Sequence, residues 1–124
     1  MRIYIAHSQT IDYQSLYSAL KKEPSFQNHE FILSHEKTDH QNNTRDFYKS
    51  LDVIIAEVSE PSTGLGIELG WAFDDNVPIY CFHQANVTPS KSIYATTDHI
   101  SPYEGISDLR NQIRNIPHLL KSQA

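Results

Sequence analysis

The sequence predicts one α/β domain over residues 1–124, with a five-stranded parallel sheet covered by helices on both faces. Three observations predict it. Apolar β-rich runs and helix-period segments alternate about five times along the chain. The run Asp52-Val53-Ile54-Ile55-Ala56-Glu57-Val58 is nearly continuously apolar, as suits a strand buried on both faces. Three of the four glycines, Gly64, Gly66 and Gly70, fall within seven residues just beyond it, although glycine overall is at about half its usual frequency of roughly 7%.

Taken in order, Arg2 to Ala6 is a short strand, and a polar loop follows from His7 to Asp12. Tyr13, Leu16, Tyr17 and Leu20 recur at helical spacing, with Pro24 beyond the helix end. His29 to Leu33 reads as a second strand, Ser34 to Asn43 as a polar stretch, and Thr44 to Ser50 as a short helix. The third strand is Asp52 to Val58. A loop from Ser59 to Thr63 leads into a helix from Gly64 to Asp75, with Leu65, Leu69, Ala72 and Phe73 on one face. Val77 to Phe82 is a fourth strand, with Pro78 near its start, where proline is tolerated. Ala95 to Ile100 is placed as the fifth strand, and Ile106, Leu109, Ile113 and Ile116 mark a terminal helix. Such alternation describes a flavodoxin-like, Rossmann-like three-layer fold. In these sheets ligands bind beyond the carboxyl ends of the strands, at the switch in strand order. The residues after strands one and three, His7-Ser8 and Ser59 to Gly66, therefore line the expected site.

Fifteen acidic and ten basic side chains leave a net charge of −5. That balance argues against nucleic acid or an anionic membrane as the main partner, since both attract basic surfaces. No stretch approaches the roughly 20 apolar residues of a membrane span, and Met1 to Ala6 reads as strand rather than leader. The single cysteine, Cys81, excludes an intramolecular disulfide, and a cytoplasmic location is expected.

The glycine cluster runs from a buried strand through Pro61 into a helix. Gly64 and Gly66 would let backbone N–H groups approach an anion at the helix start, with Ser62 and Thr63 adding hydroxyls. The spacing matches neither G-x-G-x-x-G nor a P-loop, and no serine nucleophile sits between the glycines. Gly70 is expected to let the helix pack tightly on the sheet. Glu68, in the first turn or so of that helix, is either an ionised nucleophile or a carboxylate that merely complements the dipole.

From Asp52 to Ala72 the chain resembles the nucleoside 2-deoxyribosyltransferase family, in its 2′-deoxynucleoside 5′-phosphate N-hydrolase branch. The motif Pro61-Ser62-Thr63-Gly64-Leu65-Gly66-Ile67-Glu68-Leu69-Gly70 carries the resemblance. It implies Glu68 as the nucleophile at the anomeric carbon, Ser62 and Gly64 at the 5′-phosphate, and Tyr4 and Ser8 from the first strand and its loop. Transferases of free nucleosides typically have aspartate where this chain has Ser62. Ser92, beside Lys91, would be donated by a neighbouring subunit, implying a homodimer. No metal or organic cofactor is implied. Three positions depart from the pattern: His7 replaces a glycine, Thr10 replaces the loop arginine, and Thr44 stands where the general acid is expected. Asp46, two residues on and about 200° around a helix, is the substitute candidate acid.

His7 could bond a base or fill the space left by the glycine. Trp71 could stack on a base or cover the helix–sheet boundary, and Tyr4 could be plain core. His35 and His40, at i, i+5, lie about 140° apart on a helix and read as a solvated loop rather than a metal site. The function expected is cleavage of the N-glycosidic bond of a (deoxy)nucleoside 5′-monophosphate. The alternatives are base exchange between deoxynucleosides and an impaired nucleotide-binding module.

Overall fold

The computed structural model describes residues 1–34 and 45–122. Five strands, β1 (Arg2–His7), β2 (Glu30–Leu33), β3 (Val53–Glu57), β4 (Ile79–Gln84) and β5 (Ile100–Tyr103), form one sheet in the order β2-β1-β3-β4-β5. Every neighbouring pair is parallel, with Tyr4 beside Ile54 and His7 beside Glu57 across β1 and β3. The helices are α1 (Tyr13–Lys21), α2 (Arg45–Lys49), α3 (Thr63–Asp74), α4 (Gly105–Arg114) and α5 (Ile116–Ser122). This is the three-layer, flavodoxin-like α/β fold expected. Its strand order reverses between β1 and β3, which sets the crevice at the ends of those two strands.

Alternation along each central strand feeds two cores. Ile3, Ile5, Val53 and Ile55 pack with Leu16, Tyr17 and Leu20 of α1, Leu109 and Ile113 of α4, and Ile116 of α5. Tyr4, Ala6, Ile54 and Ala56 pack on the other face with Phe47 and Tyr48 of α2 and Leu65, Leu69 and Ala72 of α3. Burial on both faces explains why β1 and β3 carry almost no exposed surface.

Several boundaries differ from the sequence reading. The fifth strand begins where it was expected to end: Lys91–Ala95 is a 3₁₀ turn, and β5 follows at Ile100–Tyr103. Pro102 hid this strand. It is tolerated because β5 is an edge strand and pairs only with β4. The terminal helix is two helices, divided at Asn115 just ahead of Ile116 and Pro117, because Pro117 has no N–H to donate to the Ile113 carbonyl four residues back. Gly70 does not seat α3 on the sheet: it is exposed, and a Cβ there would meet nothing within 4 Å. Leu65, Leu69 and Ala72 make that contact instead. Phe73, expected on the same face, is 58% exposed.

Candidate active site

The helix start is built from Ser62. Its backbone is extended (φ −152°, ψ 125°), its Oγ accepts the Leu65 N–H at 3.4 Å, and its carbonyl accepts the Gly66 N–H at 3.0 Å. Ser62 is therefore the N-cap of α3. The N–H groups of Thr63 and Gly64 are ones that a helix start leaves without an intrahelical acceptor. The space beside Gly64 and Gly66 is open, with no protein atom within 4 Å of an added Cβ. Neither glycine is required by protein packing.

Glu68 is the sixth residue of α3 and so lies in its second turn, slightly further in than expected. Helix-dipole effects fade within the first turn. What holds the carboxylate is a pair of phenols. The Tyr4 hydroxyl donates to Glu68 Oε1 at 3.2 Å. Tyr48 of α2 hydrogen-bonds the same carboxylate and the Tyr4 hydroxyl. Both rings are almost wholly buried and meet edge to face, with centroids 5.7 Å apart. Burial, and then the Glu68 charge, raises both phenols well above the usual tyrosine range. They stay protonated and act as hydrogen-bond donors.

Tyr4 and Glu68 are thus brought together, 64 residues apart in sequence. The first-strand loop adds Ser8, which is buried and lies 3.2 Å from the Thr10 hydroxyl. Asp46 is not brought in. Its side chain is 91% exposed and lies 3.7 Å from Lys49 on the outer side of α2. Thr44, the expected acid position, lies outside the described residues, as do His35 and His40. Ser92 is exposed in the 3₁₀ turn before β5.

His7 belongs to the opposite face of the sheet from Tyr4. Its Nδ1 is 2.7 Å from the Ser8 carbonyl, and its Nε2 is 2.5 Å from the Tyr17 hydroxyl and 3.1 Å from Ser34 Oγ. Its ring stacks on Tyr13 with centroids 4.9 Å apart. The ring fills the space a glycine would leave and fastens the loop backbone; in this arrangement its nitrogens serve protein groups. Trp71 packs on Tyr48 with centroids 5.4 Å apart and covers the α2–α3 seam.

Two residues escaped the sequence reading. Tyr48 had a usable signal, since it lies four residues after Thr44, a spacing that keeps one helix face. Glu57 had another, a carboxylate inside an apolar strand. It is 3% exposed and accepts the Ser59 N–H at 2.5 Å, the Ser59 hydroxyl at 2.9 Å, and the Tyr103 hydroxyl. Ser59 Oγ in turn accepts the Gln84 N–H at 2.8 Å. This network fixes the start of the loop that delivers Ser62.

No family model matches the chain. Two curated proteins, each named "Putative 2′-deoxynucleoside 5′-phosphate N-hydrolase 1", are similar to it. The Methanosarcina barkeri protein is 35% identical over 49 residues, 40% of this chain and 31% of the relative. The Methanosarcina mazei protein is 29% identical over 80 residues, 59% of this chain and 50% of the relative. The matched region thus spans no more than half the length of these relatives. Among solved structures, a Clostridium botulinum CMP N-glycosidase superposes with a TM-score of 0.69 at 18% identity, covering 91% of this chain and 97% of that one. A 2-deoxyribosyltransferase of Bacillus psychrosaccharolyticus superposes with a TM-score of 0.60 at 16% identity, covering 90% and 91%. At these identities the structural likeness speaks for the fold. Joined to the motif around Glu68 and the sequence matches, it bears out the resemblance of this chain to the nucleoside 2-deoxyribosyltransferase family, in its 2′-deoxynucleoside 5′-phosphate N-hydrolase branch.

Proposed function

We propose that the chain hydrolyses the N-glycosidic bond of a (deoxy)nucleoside 5′-monophosphate, with Glu68 as nucleophile. The observation that carries this reading is the carboxylate of Glu68 held by the Tyr4 phenol between β1 and α3, one to two helical turns from the Ser62 N-cap. Glu68 attacks C1′ as the C1′–N bond breaks, and the departing base takes a proton from water. Water then cleaves the glycosyl ester, adding its hydroxyl to C1′ and restoring the carboxylate. As negative charge leaves Glu68, the phenols keep the ester oriented. Ser8, Ser62, Gly64 and Gly66 hold the 5′ group. A neighbouring subunit of a homodimer supplies Ser92.

The test is a panel of 2′-deoxynucleosides, ribonucleosides and their 5′-monophosphates, with and without a second free base, in which released and exchanged bases are separated by chromatography. The expected result is free base from a 5′-monophosphate without added acceptor. New nucleoside formed only with added base would move the assignment to base exchange. Tight nucleotide binding without either product would end the enzymatic reading.

Tyr48→Phe removes one donor from Glu68 and leaves Tyr4 in place. We expect kcat to fall by roughly tenfold with KM within about twofold, because the lost bond acts on the reacting group rather than on substrate binding. The acid limb of the kcat profile should move to higher pH, since a carboxylate with fewer donors is easier to protonate. An unchanged profile would make Tyr48 a packing residue only.

A further inference from the structure

The crevice carries a carboxylate where an anion cradle would be expected to carry a donor. Glu60 lies in the β3–α3 loop, two residues before Ser62, and its Oε2 accepts the Thr10 hydroxyl at 2.5 Å from the β1–α1 loop. Thr10 Oγ1 is in turn 3.2 Å from Ser8 Oγ. Ser8, Thr10 and Glu60 therefore form one hydrogen-bonded chain between the loops that follow adjacent strands β1 and β3. Among the described residues, the ion pairs present do not include Glu60.

Like charges repel unless a cation lies between them. A 5′-phosphate seated between Ser8 and Ser62 meets the Glu60 charge. A 5′-hydroxyl instead meets an acceptor and can donate to it in place of Thr10. Resting on the function proposed above, we propose that Glu60 is the specificity-determining residue at the 5′ end. It holds down the preference for a 5′-phosphate and extends the substrate class to (deoxy)nucleosides with a free 5′-hydroxyl. The competing account is that Glu60 only pins the β1–α1 loop. Glu60→Gln separates the two, because the amide oxygen still accepts from Thr10 while the charge is gone.

Affinities for the four common 2′-deoxynucleosides and their 5′-monophosphates are measured by calorimetry on the full chain. The Glu68→Gln background prevents turnover, and Glu60 is varied to Gln and to Lys. The nucleotide-to-nucleoside affinity ratio should rise about tenfold or more for Gln and further for Lys, with the rise shrinking as salt is added. A ratio that moves less than about twofold in both variants, or absence of binding by every pair, overturns the proposal. Base release by the Glu68-intact chain is followed in parallel. Release with an unmoved ratio sinks the role of Glu60 and spares the glycosidase reading. A ratio that moves in a chain releasing no base supports Glu60 as a selector and ends the glycosidase reading.

Discussion

Glu68→Gln is expected to lower base release by at least about 10³-fold while leaving the fold intact, the loss typical of a missing covalent nucleophile. Glutamine is close in shape and can still accept from Tyr4, whose hydroxyl donates to Glu68 Oε1 at 3.2 Å. What disappears is the charge and the attacking oxygen. Glu68→Ala should be equally inactive but also less stable, because it leaves the fully buried Tyr4 hydroxyl short of an acceptor, at a cost of about 1–3 kcal/mol. The comparison needs three measurements: initial rates of base release, circular dichroism with thermal melting, and the mass of acid-quenched protein during turnover. Wild-type chain should carry an added glycosyl group on the peptide containing Glu68, and the glutamine variant should not. A glutamine variant that keeps more than about a tenth of the wild-type rate would remove Glu68 from the nucleophile role.

The parts of this molecule legible from its sequence are those where a local pattern has one physical solution. The apolar run Val53–Glu57 could only be a doubly buried strand. Pro61 and Ser62 ahead of a helical period mark the start of α3, where Ser62 is the N-cap. Glu68 was named through the motif and Tyr4 through the family resemblance of the first strand, and tertiary structure joins them. Local pattern failed where long-range packing decides. The β5 register depends on the edge of β4, not on its own Pro-containing residues. Gly70 looked like a packing glycine because its spacing from Gly66 is helical, yet that side of α3 faces outward. For His7 the sequence left two readings open, a bond to a base and the filling of a glycine's space. Strand alternation sends it to the α1 face, where Tyr13 and Tyr17 surround it. Tyr48 reaches Glu68 only because α2 packs beside α3.

Glu57→Ala is expected to destabilise the fold by about 3 kcal/mol, the largest stability loss among the site's supporting residues. The carboxylate takes three donors, from Ser59 N–H, Ser59 Oγ and the Tyr103 hydroxyl. Removing it orphans all of them, and two belong to the loop leading to Ser62. The loss stops short of the greatest values for broken buried networks because Glu57 lines a cavity of about 430 Å³, shared with Leu16, Gln84, Tyr103 and Leu109. Water entering there can bond some of the abandoned donors. Glu57→Gln should cost nearer 1 kcal/mol, since one acceptor oxygen remains and the Tyr103 hydroxyl can turn to accept from the amide. Chemical denaturation with an unchanged m-value measures both changes. A double-mutant cycle with Tyr103→Phe should show coupling, because removing the phenol after Glu57 is gone takes away a group already unpaired. The same network has an alkaline signature. Burial, and then its bond to Glu57, raises the Tyr103 phenol above its ordinary value. The unfolded chain therefore loses that proton first as pH rises. Stability due to this phenol is complete below the unfolded value of about 10 and declines above it. Tyr4 and Tyr48 are raised in the same direction and add to the decline. Tyr103→Phe should thus lose less stability than wild type above about pH 10. Equal alkaline slopes in the two proteins, together with additive Glu57 and Tyr103 effects, would mean that this network does not hold the loop.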